Sequence, residues 1–152
     1  MILSMKTWPE FNDSGDLPPG IHQSTLTDVI EYFGKGSFKR SIMAARLQRI
    51  CTLAKETGHV SRFIIFGSFV TTKQNPQDID IFLLMDDKFD VAQVTGESRI
   101  LFDHIAAQNY EGSSIFWLRQ TSALDGEDAA INYWQLKRDG NKRGVVEVLI
   151  ND

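Results

Sequence analysis

The spacing of apolar positions changes along this chain from a helical period to that of short strands. From about residue 38 to 57, apolar side chains recur three and four positions apart, which predicts an amphipathic helix that stops at Gly58. Short apolar runs bounded by turn residues predict strands over 63–66, 79–84, 114–118 and 144–150. Polar loops and further helical segments separate these strands.

Three more helices follow from the same pattern. A short helix carries Leu26 and Phe33, begins at a cap on Ser24 or Thr25, and ends at Gly34. A second runs from residue 91 or 98 to 108, and a third covers 127–137. The residues expected to face inward from the second of these are Ile100, Leu101, Ile105 and Ala106.

The order of the elements indicates the fold class. From the long helix onward, the elements follow the order helix, strand, strand, helix, strand, helix, strand. This order predicts an α/β fold with a compact mixed β-sheet and flanking helices. The chain of 152 residues suits one domain, which we place at 24–152. Residues 1–23 contain several prolines and glycines and predict an extended N-terminal arm that Leu17 and Ile21 pin to the domain.

Composition narrows the class of protein. A net charge of −4 argues against a generally basic nucleic-acid binder, and 42% apolar residues suffice for a buried core. No apolar run reaches the roughly 18 residues of a membrane span, and residues 1–8 lack the features of a signal peptide. The single cysteine, Cys51, lies on the apolar side of a predicted helix, which favours a buried structural thiol. We therefore expect a cytoplasmic protein that makes no contact with a membrane.

Candidate chemistry is concentrated between the first two predicted strands. Gly67-Ser68 follows the first strand, and Asp78-Ile79-Asp80 opens the second. Because strand side chains alternate between faces, Asp78 and Asp80 are expected to project together. Two carboxylates repel each other unless a cation lies between them, and Mg²⁺ is held by one or two carboxylates plus substrate phosphates. Gly67 permits a tight turn, and N–H groups at a helical turn beginning at Ser68 can bind an anion.

Each half of this pattern has a simpler interpretation. Gly-Ser is a common turn sequence, and Asp78 could cap local N–H groups in a turn over 75–78. An unrelated metal-dependent phosphohydrolase also uses Asp-x-Asp, with one aspartate as the nucleophile. The joint occurrence of both halves favours a phosphate-binding metal site.

Gly67-Ser68 follows one apolar strand, and Asp78-Ile79-Asp80 begins the next after nine intervening residues. This pattern resembles the nucleotidyltransferase superfamily that includes DNA polymerase beta. The similarity is greatest to small bacterial minimal nucleotidyltransferases, some of which serve in toxin–antitoxin pairs. A small bacterial branch of that superfamily looks similar in further segments, which are residues 17–22, 67–70 and 140–147 and the basic helix. The resemblance implies a nucleoside triphosphate bound through two Mg²⁺ ions and transfer of a nucleotidyl group to a protein or RNA acceptor. It also implies a cognate toxin or antitoxin protein as a partner.

The resemblance also implies a third acid on a later strand, and the chain offers none at the expected place. That strand is the one over 114–118, which Ser114 opens where an aspartate is expected. Glu111 in the preceding loop and Glu147 in the last strand are the two candidates to replace it. We take Asp78, Asp80 and Glu147 as the catalytic set, with an edge-strand Glu147 facing water as the alternative.

Basic residues complete the set of candidates. Lys73, in the loop between the two motifs, is expected to contact a phosphate together with Gly67 and Ser68. The basic side chains of the long helix are expected to be solvated; these are Lys39, Arg40, Arg46 and Arg49. Without the third acid, a catalytically degenerate module that binds a nucleotide or a partner protein is the second hypothesis.

Overall fold

A computed structural model of the chain describes residues 7–150. The start of the predicted arm and most of the segment considered as a signal peptide lie outside the described residues. The strands are β1 (Ile21–Ser24), β2 (Val60–Phe66), β3 (Ile79–Met85), β4 (Ser113–Arg119) and β5 (Val145–Val148). The α-helices are α1 (Leu26–Phe33), α2 (Phe38–Glu56), α3 (His104–Glu111) and α4 (Glu127–Asn132).

The strands form one mixed sheet in the order β1-β5-β2-β3-β4. β2 lies at the centre and is antiparallel to both neighbours, β3 and β5. Each outer strand, β1 and β4, runs parallel to the strand beside it. The predicted α/β class with a mixed sheet is therefore confirmed, and the four strands predicted from the sequence all form.

The two faces of the sheet are covered differently. The alternate side chains that include Phe63 and Ile81 join a large core with α1 and α2. The opposite face carries Ile64 and Phe82 under a smaller cluster that includes Ile131 of α4. Successive strand residues thus divide between the two layers, as period-two alternation requires. The smaller layer leaves its end of the sheet open.

Local signals set the ends of the first two helices. Thr25 caps α1 by accepting a hydrogen bond from the Asp28 N–H (3.2 Å), and Gly34 ends this helix. Ser37 caps α2 in the same way through the Arg40 N–H (3.2 Å). The predicted helices at 26–33 and near 38–57 are confirmed.

Two later helices differ from their predictions. Residues 91–102 form short 3₁₀ turns, and α3 begins only at a cap on Asp103, which shifts the helical phase. Ala107 is consequently buried, and Ile105, predicted to face inward, is 71% exposed. α4 ends at Asn132 and is followed by a 3₁₀ turn over Tyr133–Gln135, whose Gln135 side-chain carbonyl accepts a hydrogen bond from the Gly20 N–H (2.6 Å).

The N-terminal arm lies against the domain over its described part. Leu17 is fully buried, as predicted, and Ile21 is partly buried. Residues 21–24 form β1, which pairs in parallel with β5 from Ile21 opposite Val145. The sequence analysis did not predict this strand, because its four residues show no alternation of apolar and polar positions.

Burial determines the protonation of the single cysteine. Cys51 lies in the core beneath α2, as predicted, and burial raises the pKa of its thiol to about 12. A protonated thiol is a poor nucleophile and a poor metal ligand. Separately, no helix within residues 7–150 is long and apolar enough to cross a membrane.

Candidate functional site

The turn after β2 depends on a glycine. Gly67 has φ = 80° and ψ = −162°, a backbone conformation that residues with a Cβ atom rarely adopt. A Cβ atom added at this position would also overlap the carboxylate of Asp80. The predicted helical turn beginning at Ser68 is present but spans only Ser68–Val70, so its dipole is small. Gly67 therefore brings backbone directly against an acidic side chain.

The two aspartates lie at the start of β3. Ile79 between them is fully buried, Asp78 is exposed just before the strand, and Asp80 is partly buried. Asp80 pairs with Phe66, the residue preceding Gly67, across the antiparallel ladder. This register holds Asp80 beside the Gly67-Ser68 turn, so the structure brings together Gly67, Ser68, Asp78 and Asp80.

Asp80 is an unusual carboxylate. Among residues 7–150 it has no hydrogen-bond or ion-pair partner. Burial, followed by the negative charge of Asp78, raises its pKa to about 6, and Arg143 acts in the opposite direction. A partly buried carboxylate beside a second one, without a bound partner, creates a negative potential that favours a cation.

Gly67, Ser68 and Asp80 line one side of an open cleft with a volume of about 730 Å³. The other side is built by the segment after α4, which supplies aromatic and basic side chains. Trp134 stacks on Phe66 with ring centroids 4.5 Å apart, and Tyr133 meets Trp134 edge to face. The charged residues of this second wall are Lys137, Arg138, Asp139 and Arg143. The cleft thus has an acidic end at β3 and a basic wall.

The basic wall is connected to the N-terminal arm. Asp16 is 4% exposed, and its carboxylate forms an ion pair with Lys137 (2.8 Å) and a longer one with Arg143 (3.5 Å). Asp16 also bridges to Thr71, in the loop after Gly67-Ser68. Asp16 therefore joins three segments: its carboxylate binds the basic wall, and its backbone pairs the arm with this loop. Sequence reasoning missed Asp16, and spacing gave no signal for it.

The position expected for a third acid lies beside Asp80. In the parallel pairing of β3 with β4, Asp80 is opposite Ser114. The Ser114 hydroxyl accepts a hydrogen bond from the Gln108 side-chain amide (3.1 Å). A neutral serine therefore occupies the position of β4 opposite Asp80, where the resemblance predicts a third acid.

Glu147, predicted to be catalytic, is bound elsewhere. Its carboxylate accepts hydrogen bonds from Arg62 at 2.9 and 2.8 Å and one from Gln23 at 3.2 Å. Burial alone would raise the pKa of Glu147, but these hydrogen bonds outweigh it and hold the pKa below its ordinary value. By strand spacing, its Cα lies about 12 Å from that of Asp80. The structure does not bring Glu147 to the aspartates, because β5 and β3 lie on opposite sides of β2, and Arg62 pairs with the buried carboxylate of Glu147 instead.

Glu111 does not replace the missing acid either. It is 3% exposed and pairs with the Arg49 guanidinium of α2 (2.7 Å). Within the described residues 7–150, no group of three or more His, Cys, Asp or Glu side chains could hold a metal ion. Asp80 therefore forms the acidic end of the cleft, and the charge of the neighbouring Asp78 acts on it.

A match to a protein-family model covers residues 9–149. The chain belongs to DUF6932, a family of unknown function. No match was found among curated proteins, and none among solved structures. The chemistry of this DUF6932 site is therefore inferred from its own residues.

Lys73 of this DUF6932 chain does not line the cleft. Its side chain is exposed, and its backbone carbonyl accepts a hydrogen bond from Arg40 (3.1 Å). The loop folds towards α2 at this point, so Lys73 is carried away from Gly67-Ser68. The basic groups that face the aspartates come from the segment after α4 instead.

Arg40 differs from its prediction. It was expected to be solvated, but it is 5% exposed beneath the loop after Ser68. Its guanidinium donates to the carbonyls of Phe33 (2.9 Å), Phe69 (2.7 Å), Thr71 (2.6 Å) and Lys73 (3.1 Å). Arg40 therefore anchors the loop that connects the Gly-Ser turn to the aspartates.

Replacing Gly67 with alanine tests the close approach of backbone and carboxylate. The added Cβ forces a strained backbone and displaces the Asp80 side chain, so we expect a loss of stability of about 1–3 kcal/mol. Thermal unfolding measures this loss. Gly126→Ala is the control: Gly126 also has a positive φ of 98° but has no atom within contact of an added Cβ. Equal destabilisation by both changes would contradict a specific contact at Gly67.

Proposed function

We propose that this DUF6932 protein is a nucleotidyltransferase-like protein that binds a nucleoside triphosphate with Mg²⁺ in the cleft between β3 and the basic wall. The observation that carries the proposal is the contact of the Gly67-Ser68 turn with Asp80. It combines a close backbone approach with a carboxylate that has no bound partner. The expected transfer of a nucleotidyl group goes to a protein or RNA acceptor.

The carboxylates present suit one magnesium ion. Asp78 and Asp80 supply hard oxygen ligands, and the raised pKa of Asp80 reflects a charge that burial and Asp78 leave uncompensated. Mg²⁺ commonly uses one or two carboxylates and takes its other ligands from phosphates and water. Bound there, the ion would neutralise charge on the phosphates. A second ion held by a third acid does not fit, because Ser114 occupies that position.

The opposite wall suits the rest of a nucleotide. A volume of about 730 Å³ is in the usual range for small-molecule sites. Tyr133 is 62% exposed at the edge of the cleft and can stack against a base. Ser68 supplies a hydroxyl and a backbone N–H for phosphate oxygens. An acidic end and a basic wall together favour a magnesium polyphosphate over a simple cation or a simple anion.

A binding module without turnover is the second candidate. Ser114 is neutral, and Glu111 and Glu147 are committed to Arg49 and Arg62. Within the described part of the chain, the other carboxylate that lines the cleft is that of Asp139, which lies on the basic wall and not beside Asp78 and Asp80. Such a module would bind the nucleotide and present it, or its own surface, to a partner protein such as a cognate toxin or antitoxin.

Transfer from labelled nucleoside triphosphates distinguishes these functions. Purified protein, Mg²⁺, nucleotides labelled at the α-phosphate and cell lysate should yield a labelled acceptor. An Asp78→Asn, Asp80→Asn double variant should give no label. The control is Asp86→Asn with Asp87→Asn, which removes the same charge at the opposite end of β3.

Each result assigns the protein to one class. Equal labelling by the double variant and the wild type would contradict the roles of the aspartates. Magnesium-dependent nucleotide binding by calorimetry without any labelled product would support the binding module. The absence of both binding and product would contradict both candidates and leave a protein-interaction role.

A further inference from the structure

Lys137 and Arg143 lie on the two arms of one hairpin beside the cleft. Leu136 and Lys142 form a bridge across this hairpin, and the Lys137 N–H bonds to the Asn141 carbonyl (2.8 Å). Both side chains line the cleft, and both reach the same buried carboxylate, Asp16. The hairpin therefore fixes two cations side by side.

Asp16 orients the side chains of Lys137 and Arg143 but leaves most of their hydrogen-bond donors unused. A lysine ammonium has three donors and an arginine guanidinium has five. Among the described residues, each side chain has a hydrogen bond only to Asp16, and the one from Arg143 is long at 3.5 Å. Asp16 and Asp139, on which the charge of Lys137 also acts, offset only part of the positive charge of Lys137, Arg138 and Arg143, which leaves a net positive charge and several free donors. The field of Arg143 reaches across the cleft, since it lowers the pKa of Asp80 against the effects of burial and Asp78.

We propose that Lys137 and Arg143 bind the phosphates of the polyphosphate ligand, and that Asp16 positions both side chains for this contact. The nucleotide part of the ligand rests on the function proposed above, but the affinity for polyphosphate does not. A long cation normally loses side-chain freedom when it binds, and a side chain already held by an ion pair loses less. Charge-assisted hydrogen bonds to phosphate oxygens are the strong contacts that the free donors can form.

This assignment also identifies the chemistry of the ligand along the cleft. The phosphates lie between Ser68 and the hairpin cations, and their associated metal lies towards Asp78 and Asp80. A monoanion would leave one of the two cations without a partner, whereas a di- or triphosphate can contact both. The ligand class is therefore a polyphosphate ester that carries a divalent cation.

Calorimetric titration with inorganic tripolyphosphate tests the cations directly. The titration is done in chelator without Mg²⁺, so that it does not depend on the aspartates. Lys137→Met and Arg143→Met should each weaken binding about tenfold or more, and each should reduce the dependence of affinity on salt. Lys142→Met is the matched control, because Lys142 is an exposed lysine of the same hairpin that does not line the cleft. Its affinity should stay within about twofold of wild type.

The outcomes separate this inference from the proposed function. Equal affinity in the Lys137→Met, Arg143→Met and Lys142→Met variants would overturn the inference, even if the wild type binds nucleoside triphosphates. Tripolyphosphate binding that depends on Lys137 and Arg143, with no binding of any nucleotide, would support the inference and overturn the function. No binding of tripolyphosphate by a folded wild type overturns the inference.

Restoring the positive charge at position 137 distinguishes a role in phosphate binding from a purely structural role. If Lys137→Met lowers the melting temperature, Lys137→Arg keeps the ion pair with Asp16 and the donors for phosphate. Tripolyphosphate affinity should return in Lys137→Arg to within a few fold of wild type. Recovery of the melting temperature without recovery of affinity would overturn the role in phosphate binding.

Discussion

Changing Asp80 to asparagine should abolish magnesium-dependent binding of a nucleoside triphosphate and, at neutral pH, make the metal-free protein more stable. Binding is lost because the amide is a far weaker ligand for Mg²⁺ than the carboxylate. Stability rises because the carboxylate is partly buried beside Asp78 and lacks a bound partner, which raises its pKa to about 6. A residue retained at a cost in stability is expected to serve function.

The sign of the pH dependence follows from this raised pKa. In the unfolded chain the group titrates near its ordinary value of 3.8, so at pH 4 to 6 the folded protein binds more protons than the unfolded one. The contribution of Asp80 to the stability of the wild type should therefore fall as the pH rises through this window, and it should level off above about pH 6. With allowance for partial solvent screening, Asp80→Asn should gain about 1–2 kcal/mol at pH 7 and almost nothing at pH 3.5. Chemical denaturation at the two pH values measures the difference.

A second aspartate of the same cleft provides the control. Asp139 accepts a hydrogen bond from the Asn141 N–H (2.9 Å), which holds its pKa below the ordinary value. Asp139→Asn should therefore not stabilise the protein, and it should leave magnesium-dependent binding nearly unchanged. If Asp80→Asn lowers stability at pH 7, or if it binds magnesium nucleotides as the wild type does, the role given to Asp80 is wrong.

The core of the site could be predicted because it depends on local rules. A strand that ends in Gly-Ser, followed by a polar loop and Asp-x-Asp, places the turn and the carboxylates at one end of an antiparallel pair. Alternation along β3 then determines that Ile79 is buried and that the aspartates flank it. The caps on Thr25 and Ser37 are local in the same sense. None of these predictions needed the arrangement of distant segments.

The rest of the site depends on pairings that no spacing encodes. Asp16 meets Lys137 and Arg143 across more than a hundred residues, because β1 pairs with β5 and draws the arm to the hairpin. The same applies to Glu147. A buried glutamate requires a partner, but only the alignment of β5 with β2 shows that the partner is Arg62. The rule predicted a partner without identifying it.

Helical periodicity also predicted the wrong environment for Arg40. A basic residue on a helix is usually solvated, so pattern alone placed Arg40 with Lys39 and Arg46 on a polar face. The structure buries it because the loop after Ser68 presents carbonyl groups that β-pairing leaves without partners. A loop with unsatisfied carbonyls is visible only once the fold is known.

Replacing Arg40 with methionine should destabilise the protein more than any other single change proposed for this chain. The substitution keeps the apolar stem but removes hydrogen bonds from a charged group to buried carbonyls, which are worth about 1.5–3 kcal/mol each before hydration of the exposed edge compensates. We expect a net loss of about 3–4 kcal/mol. At about 2–4 °C per kcal/mol, the melting temperature should fall by about 6–16 °C.

Two companion variants separate the hydrogen bonds of Arg40 from its charge. Lys39→Met removes the same charge one residue earlier in α2 and should change the melting temperature by no more than about 2 °C. Arg40→Lys keeps the charge but reaches fewer carbonyls, so its stability should lie between wild type and Arg40→Met. Because the loop held by Arg40 begins directly after Ser68, nucleotide affinity should fall in the same order, even at temperatures where each variant is folded. If the Arg40→Met variant has the melting temperature of the wild type, other contacts hold the loop. The Gly-Ser turn would then keep its position without the buried guanidinium.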